Sequence, residues 1–210
     1  MKVAVLVSGR GSNLQALMEA KQRGTLSVDF VGVASDQPDC QAVQKAAAAG
    51  IPIRSFVVKD YENRQQQERA MMIWLQEQGA ELLVLAGYMK VLGAEFITEI
   101  GMPIINIHPS LLPAFKGLHA QRQAVEYGVR VSGCTVHFVD DGLDSGPIIL
   151  QDTVPVYTDD TEDSLAARIL EVEHRLLPEA VSLLAEHKVE RQGRQVRILK
   201  LDADRSCYNR

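Results

Sequence analysis

Positive charge and long apolar runs are both scarce in this chain, and each shortage closes a class of function. Acidic residues outnumber basic ones by 27 to 22, for a formal charge of −5 and a pI near 5.6. A nucleic-acid footprint needs clustered positive charge, so no nucleic-acid partner is expected. No apolar run approaches the ~18–20 residues that span a bilayer, which argues against a membrane partner. The opening MKVAVLV has one lysine and a short apolar stretch, but a Gly-rich turn follows where a secretory signal places its cleavage site. The expected location is therefore cytoplasmic. Cysteine is confined to Cys40, Cys134 and Cys207, widely spaced and odd in number, which builds neither a disulfide framework nor a CxxC metal pair. These read as reduced thiols without chemistry, Cys134 within a strand.

What the chain does have is apolar content, 46% of 210 residues, enough for one folded core. KVAVLV (2–7) reads as a strand buried on both faces. A turn, Ser8–Asn13, leads into a helix carrying Leu14, Leu17 and Met18 and stopping at Gly24. DFVGVAS (29–35) is a second strand, Cys40–Ala49 an Ala-rich helix and IPIRSF (51–56) a third strand. In the charged stretch Tyr61–Gln78, Met71, Met72 and Leu75 supply an apolar face, and Glu62, Arg64, Glu68 and Arg69 a polar one. LLVLAG (82–87) and PIINIH (103–108) complete a β-α alternation that predicts a Rossmann-like open α/β sheet, mostly parallel, with helices on both faces. CTVHFV (134–139) and PIILQDTVPV (147–156) are separated by a polar loop too short for a helix, so they pair antiparallel at one side of the sheet. Thr161 is an N-cap, with Glu162 and Asp163 favouring the helix dipole. Leu165, Ile169, Val172 and Leu176 form the stripe of the helix that follows, which Pro178 should kink or restart. VERQGRQVRIL reads as a hairpin turning at Gln192-Gly193. This gives one domain over 1–190, with a phosphate-binding half (1–100) and a catalytic half (101–190), and a C-terminal hairpin and tail over 191–210.

Ligands of open parallel sheets bind at the carboxyl ends of the strands, and three unusual segments stand there: 8–13, 87–92 and 106–113. In the first, Gly9 and Gly11 free the backbone, and N–H groups at a helix start bind anions. Leu14 replaces the third glycine of a dinucleotide fingerprint and no Walker lysine is present, so the choice is between a single phosphate and a plain tight turn. In the third, period-2 geometry sets Asn106 and His108 on one side of a strand end. An amide donor beside an imidazole suits acyl chemistry, although a lone histidine is more often structural. The loop Asp140-Asp141-Gly142-Leu143-Asp144 can bind a metal, cap a turn or tune a histidine; it lacks EF-hand spacing, and at most one of its aspartates is expected to be catalytic. His119 and His137 can reach this edge in supporting roles, whereas His174 and His187 are expected on helices, in solvent.

SGRGSNLQAL, LAGYMKVL, INIHPSLLPAFKGLHAQRQA and HFVDDGLDSGPIILQ, in this order, resemble the folate-dependent phosphoribosylglycinamide formyltransferases of purine biosynthesis. The resemblance implies a ribonucleotide site at Gly11, Ser12, Asn13 and Glu173, the last within the helix stretch Leu170–Glu173. It implies a folate site at Arg64, Met89, Lys90, Val91, Leu92, Asn106 and Asp140–Asp144. Asn106, His108 and Asp144 are the implied catalytic set. Glycinamide ribonucleotide and 10-formyltetrahydrofolate are the implied substrates, with no metal, and the protein a monomer or homodimer. Lys90 stands where relatives usually carry arginine, and Gln121 replaces a histidine found in some members. The expected rivals are a formyltetrahydrofolate hydrolase, whose relatives carry an added N-terminal domain, and a non-catalytic phosphometabolite binder. A tRNA formyltransferase would carry an extra C-terminal RNA-binding domain.

Overall fold

The computed structural model describes residues 1–199. Along the chain lie β1 (Lys2–Val7), α1 (Ser12–Gln22), β2 (Asp29–Ser35), α2 (Gln41–Ala48), β3 (Ile53–Ser55), α3 (Arg64–Glu77), β4 (Leu82–Leu85) and α4 (Ala94–Glu99). Then come β5 (Ile104–His108), α5 (Ala120–Tyr127), β6 (Val131–Phe138), β7 (Ile148–Pro155), α6 (Glu162–Ala185), β8 (Val189–Gln192) and β9 (Gln195–Ile198).

Strands β1 to β7 form one sheet in the order β3-β2-β1-β4-β5-β6-β7. The first five are parallel, while β6 and β7 run antiparallel, as the short connection between them requires. Alternation along β1 explains its unbroken apolar sequence. Val3, Val5 and Val7 enter a core with Leu14 and Leu17 of α1 and Leu165, Ile169 and Leu176 of α6. Ala4 and Leu6 enter a second core with Met71, Trp74 and Leu75 of α3 and Phe96 of α4. A strand covered on both faces has no polar side to show. The sequence order of the strands reverses between β1 and β4, and there the loops after the two strands diverge to opposite faces and leave a crevice.

Several elements differ from the sequence reading. Helices α4 and α5 were not expected; at six and eight residues they are too short for a readable apolar period. On α3 the inward face adds Trp74 to Met71, Met72 and Leu75, and Glu68 is buried, not solvated. Pro178 does not restart α6, which is continuous from Glu162 to Ala185. A mid-helix proline costs ~3 kcal/mol, and the complete burial of Leu176, Leu177, Ala180 and Val181 around it supplies packing of that order. His187 lies beyond the end of α6 at φ 54°, and His174 is half-buried on it. The hairpin β8–β9 turns at Gly193-Arg194, one residue later than expected. The tail 200–210, including Cys207, lies outside the described residues. Cys134 is buried on β6, and burial pushes its thiol up to about 12, which keeps it protonated and unreactive.

Candidate active site

The carboxyl ends of β1, β4 and β5 bring the three segments to one edge. Ser8, just past β1, donates its backbone N–H to the Gly87 carbonyl just past β4. β4 pairs with β5 through Leu85 and Asn106. The residues around Asn106 therefore reach the Gly turn through two adjacent strands, without any close approach in sequence.

At the end of β5, the antiparallel register sets Asn106 opposite His137 and His108 opposite Thr135, all four on one face. His108 is 4% exposed, and its ring is held from both sides. Nε2 lies 2.8 Å from the Phe115 carbonyl, which only accepts, so Nε2 carries a proton. Nδ1 faces Asp144 Oδ2 at 3.3 Å. In its charged form the ring donates from both nitrogens. Asp144 in turn accepts the Gly117 N–H at 2.8 Å, and its own backbone is held at φ 44°, a conformation sustained by the surrounding bonds.

His137 completes the cluster. Its Nδ1 donates to the Phe138 carbonyl at 2.8 Å, which leaves the Nε2 lone pair toward the Asn106 amide nitrogen at 3.3 Å. Burial lowers the His137 pKa; the Phe138 hydrogen bond and the Asp144 charge, 3.7 Å away, oppose this only partly. The ring is thus neutral at physiological pH and acts as an acceptor. It fixes one N–H of Asn106 and leaves the other free to meet an oxygen. An amide N–H, an imidazole and a carboxylate so converge where a carbonyl oxygen gaining charge can be stabilised.

The Gly turn opens α1 as expected. Gly11 is the N-cap at φ 67°, where a Cβ would also lie 2.6 Å from Ala42 Cβ, so only glycine fits. The first turn of α1 has no side-chain cap and no acid, leaving its N–H groups available to an anion. Asn13 donates Nδ2 to Glu173 of α6 at 2.8 Å, across 160 residues. Burial pushes Glu173 up to about 7, partly offset by that hydrogen bond. Asn13 Oδ1 is buried with no protein partner, a polar atom positioned for a ligand donor.

On the other side of the crevice, Met89, Lys90, Val91 and Leu143 are exposed, while the Leu92 side chain is buried in the second core. Arg64 bonds the Val91 carbonyl, which places it beside this loop. Asp140 caps its own turn, accepting from Ser145 Oγ at 2.6 Å and the Gly142 N–H at 3.3 Å, and Asp141 is exposed. Of the three aspartates, only Asp144 meets the histidines. His119 sits at the N-cap of α5, and its Nδ1 pairs with Glu162 at 3.3 Å, so it takes no part in the Asn106–His108 cluster. The sequence reading missed the Phe115 carbonyl and the Gly117 N–H, because backbone atoms have no signature in residue type.

The chain is 46% identical over 87% of its length to the trifunctional purine biosynthetic protein adenosine-3 of Drosophila melanogaster, but spans only 14% of that protein. It is 37% identical to the phosphoribosylglycinamide formyltransferase of Escherichia coli, covering 90% of each chain. The crystal structure of glycinamide ribonucleotide transformylase 1 from Symbiobacterium toebii superposes with a TM-score of 0.92 at 46% identity, covering 95% of this chain and 94% of that one. The phosphoribosylglycinamide formyltransferase of Anaplasma phagocytophilum superposes with a TM-score of 0.88 at 41% identity, over 97% and 96%. The formyl transferase family model matches residues 1–181, and the chain belongs to that family.

Proposed function

We propose that this protein transfers the formyl group of 10-formyltetrahydrofolate to the amine of glycinamide ribonucleotide. The observation that carries the reading is the cluster of Asn106, His108, Asp144 and His137, at the sheet edge that also carries an anion-ready helix start and the exposed residues Met89–Val91. The ribonucleotide phosphate sits on the N–H groups of Gly11–Asn13. Glu173 and the unpartnered Asn13 Oδ1 take its hydroxyl or amine donors. The folate lies against Met89–Leu92 and the 140–144 loop, with Arg64 nearby. Residues 1–190 act as one domain, its two halves joined through the β4–β5 pair.

The amine attacks the formyl carbon, and the carbonyl oxygen takes up negative charge. The free N–H of Asn106 meets that oxygen, and charged His108, its two N–H groups held by Asp144 and the Phe115 carbonyl, stabilises the negative charge electrostatically. Asp144 stabilises the imidazolium, and the proton leaving the amine passes through water. Collapse of the intermediate breaks the bond from carbon to folate nitrogen, which is protonated by way of His108. No step requires a metal ion or a covalent enzyme intermediate.

The deciding assay incubates the protein with 10-formyltetrahydrofolate, with and without glycinamide ribonucleotide. Formyl transfer dependent on the amine is expected. Deformylation without it indicates a hydrolase, and no turnover a binding protein. His108→Ala and Asn106→Ala should each lose at least about a hundredfold in kcat while remaining folded. Near-normal turnover in either refutes its role.

A further inference from the structure

The segment after β4 exposes Met89, Lys90 and Val91, so its shape is set from beneath and not by its own side chains. Its start is pinned where the Met89 N–H donates to Ser8 Oγ at 2.9 Å, and Ser8 in turn donates to Asp36 at 2.6 Å. Its end is pinned by Glu68, whose side chain is only 10% exposed. Glu68 Oε1 accepts the Gly93 N–H at 3.1 Å and Arg64 Nε at 2.8 Å, and the Arg64 guanidinium reaches on to the Val91 carbonyl. Gly93 has an ordinary backbone, φ −67° and ψ 149°, so its missing side chain serves space: a Cβ there would lie 2.5 Å from Glu68 Oε2.

Burying a carboxylate is costly, and packing alone does not require one here. This one spends its hydrogen bonds on the backbone and the arginine of a surface loop. We propose that Glu68 is a positioning residue for the one-carbon donor: with Arg64 it fixes the backbone of 91–93 in the shape that receives a flat heteroaromatic ring system. The proposal rests on reading the 89–92 loop as the folate side of the site.

The test is steady-state kinetics in each substrate, with melting temperatures, on Glu68→Ala, Glu68→Gln, Gly93→Ala and Met89→Asp. Glu68→Ala should raise KM for 10-formyltetrahydrofolate about tenfold, leaving kcat and KM for the ribonucleotide within about twofold. Glu68→Gln, which keeps shape and an acceptor, should recover most of the loss. Gly93→Ala should reproduce it by displacing the carboxylate, and it carries the test with Glu68→Gln if Glu68→Ala fails to fold. A lowered melting temperature with unchanged folate KM, or equal changes in both KM values, overturns the proposal. If Met89→Asp alone raises folate KM, the positioning role falls and the loop reading stands; if no variant does, both fall.

Discussion

Replacing Glu173 by glutamine should make this protein more stable and less active, and the gain should depend on pH in a defined way. Glu173 is 7% exposed and its pKa is raised from the ordinary 4.5 to about 7, chiefly by burial. Below pH 4.5 the side chain is protonated in both folded and unfolded states and contributes nothing. Between 4.5 and 7 the unfolded chain ionises while the folded one does not, so stability falls as pH rises. Above 7 the penalty is complete, about 3 kcal/mol at ~1.36 kcal/mol per pH unit. Glutamine cannot ionise, and its carbonyl can still accept from Asn13. The variant should therefore exceed the parent by about 1 kcal/mol at pH 5 and about 3 kcal/mol at pH 8 in urea unfolding. It should also show a raised KM for glycinamide ribonucleotide. A stability difference constant across that range would refute the reasoning, because it would mean that Glu173 does not hold its proton in the folded state.

Two further substitutions probe the cluster and the scaffold separately. His137→Phe removes the acceptor that fixes the Asn106 amide; kcat should fall by about tenfold or more with both KM values little changed. Unaltered turnover would show that Asn106 needs no such partner. Thr161→Ala removes half of a capping box, in which Thr161 Oγ1 accepts the Ser164 N–H at 3.2 Å and Ser164 Oγ accepts the Thr161 N–H at 2.9 Å. It should cost about 1 kcal/mol in denaturant unfolding without affecting turnover at 25 °C, and a stability equal to the parent's would refute the cap.

Legibility followed the physics of each element. The run Val3–Val7 announced a strand covered on both faces, and Thr161 before Glu162 announced a helix start, because burial and capping each leave a local pattern. Asn106 and His108 were readable as a pair because a strand puts alternate residues on one side. Glu68 was misread because a charged residue at helical spacing suggests solvent, and only the tertiary fold shows Gly93 and Arg64 closing over it. The bond between Asn13 and Glu173 was invisible to any local pattern; the resemblance implied only that both residues belong to one ribonucleotide site. Short helices such as α4 fall below the length at which an apolar period can be counted.

The segment 114–117 shows why the site needs more than its named residues. Its backbone supplies the carbonyl that holds His108 Nε2 and the N–H that holds Asp144 Oδ2. Ser110 Oγ anchors it at the Ala114 carbonyl at 2.5 Å, and Gln123 of α5 anchors it at the Lys116 and Leu118 carbonyls. Beyond these, His119 and Arg122 tie α5 to Glu162 on the first turn of α6. An imidazole and a carboxylate in a low-dielectric pocket do useful chemistry only while both are held in fixed orientation. A single loop that grips both partners fixes their separation, which the proposed transfer needs as its two substrates bind. The His108–Asp144 pair is thus preorganised by backbone atoms, which no side-chain substitution removes directly. Changes in the anchors Ser110, Gln123 and Glu162 should reach the chemistry only by loosening that grip.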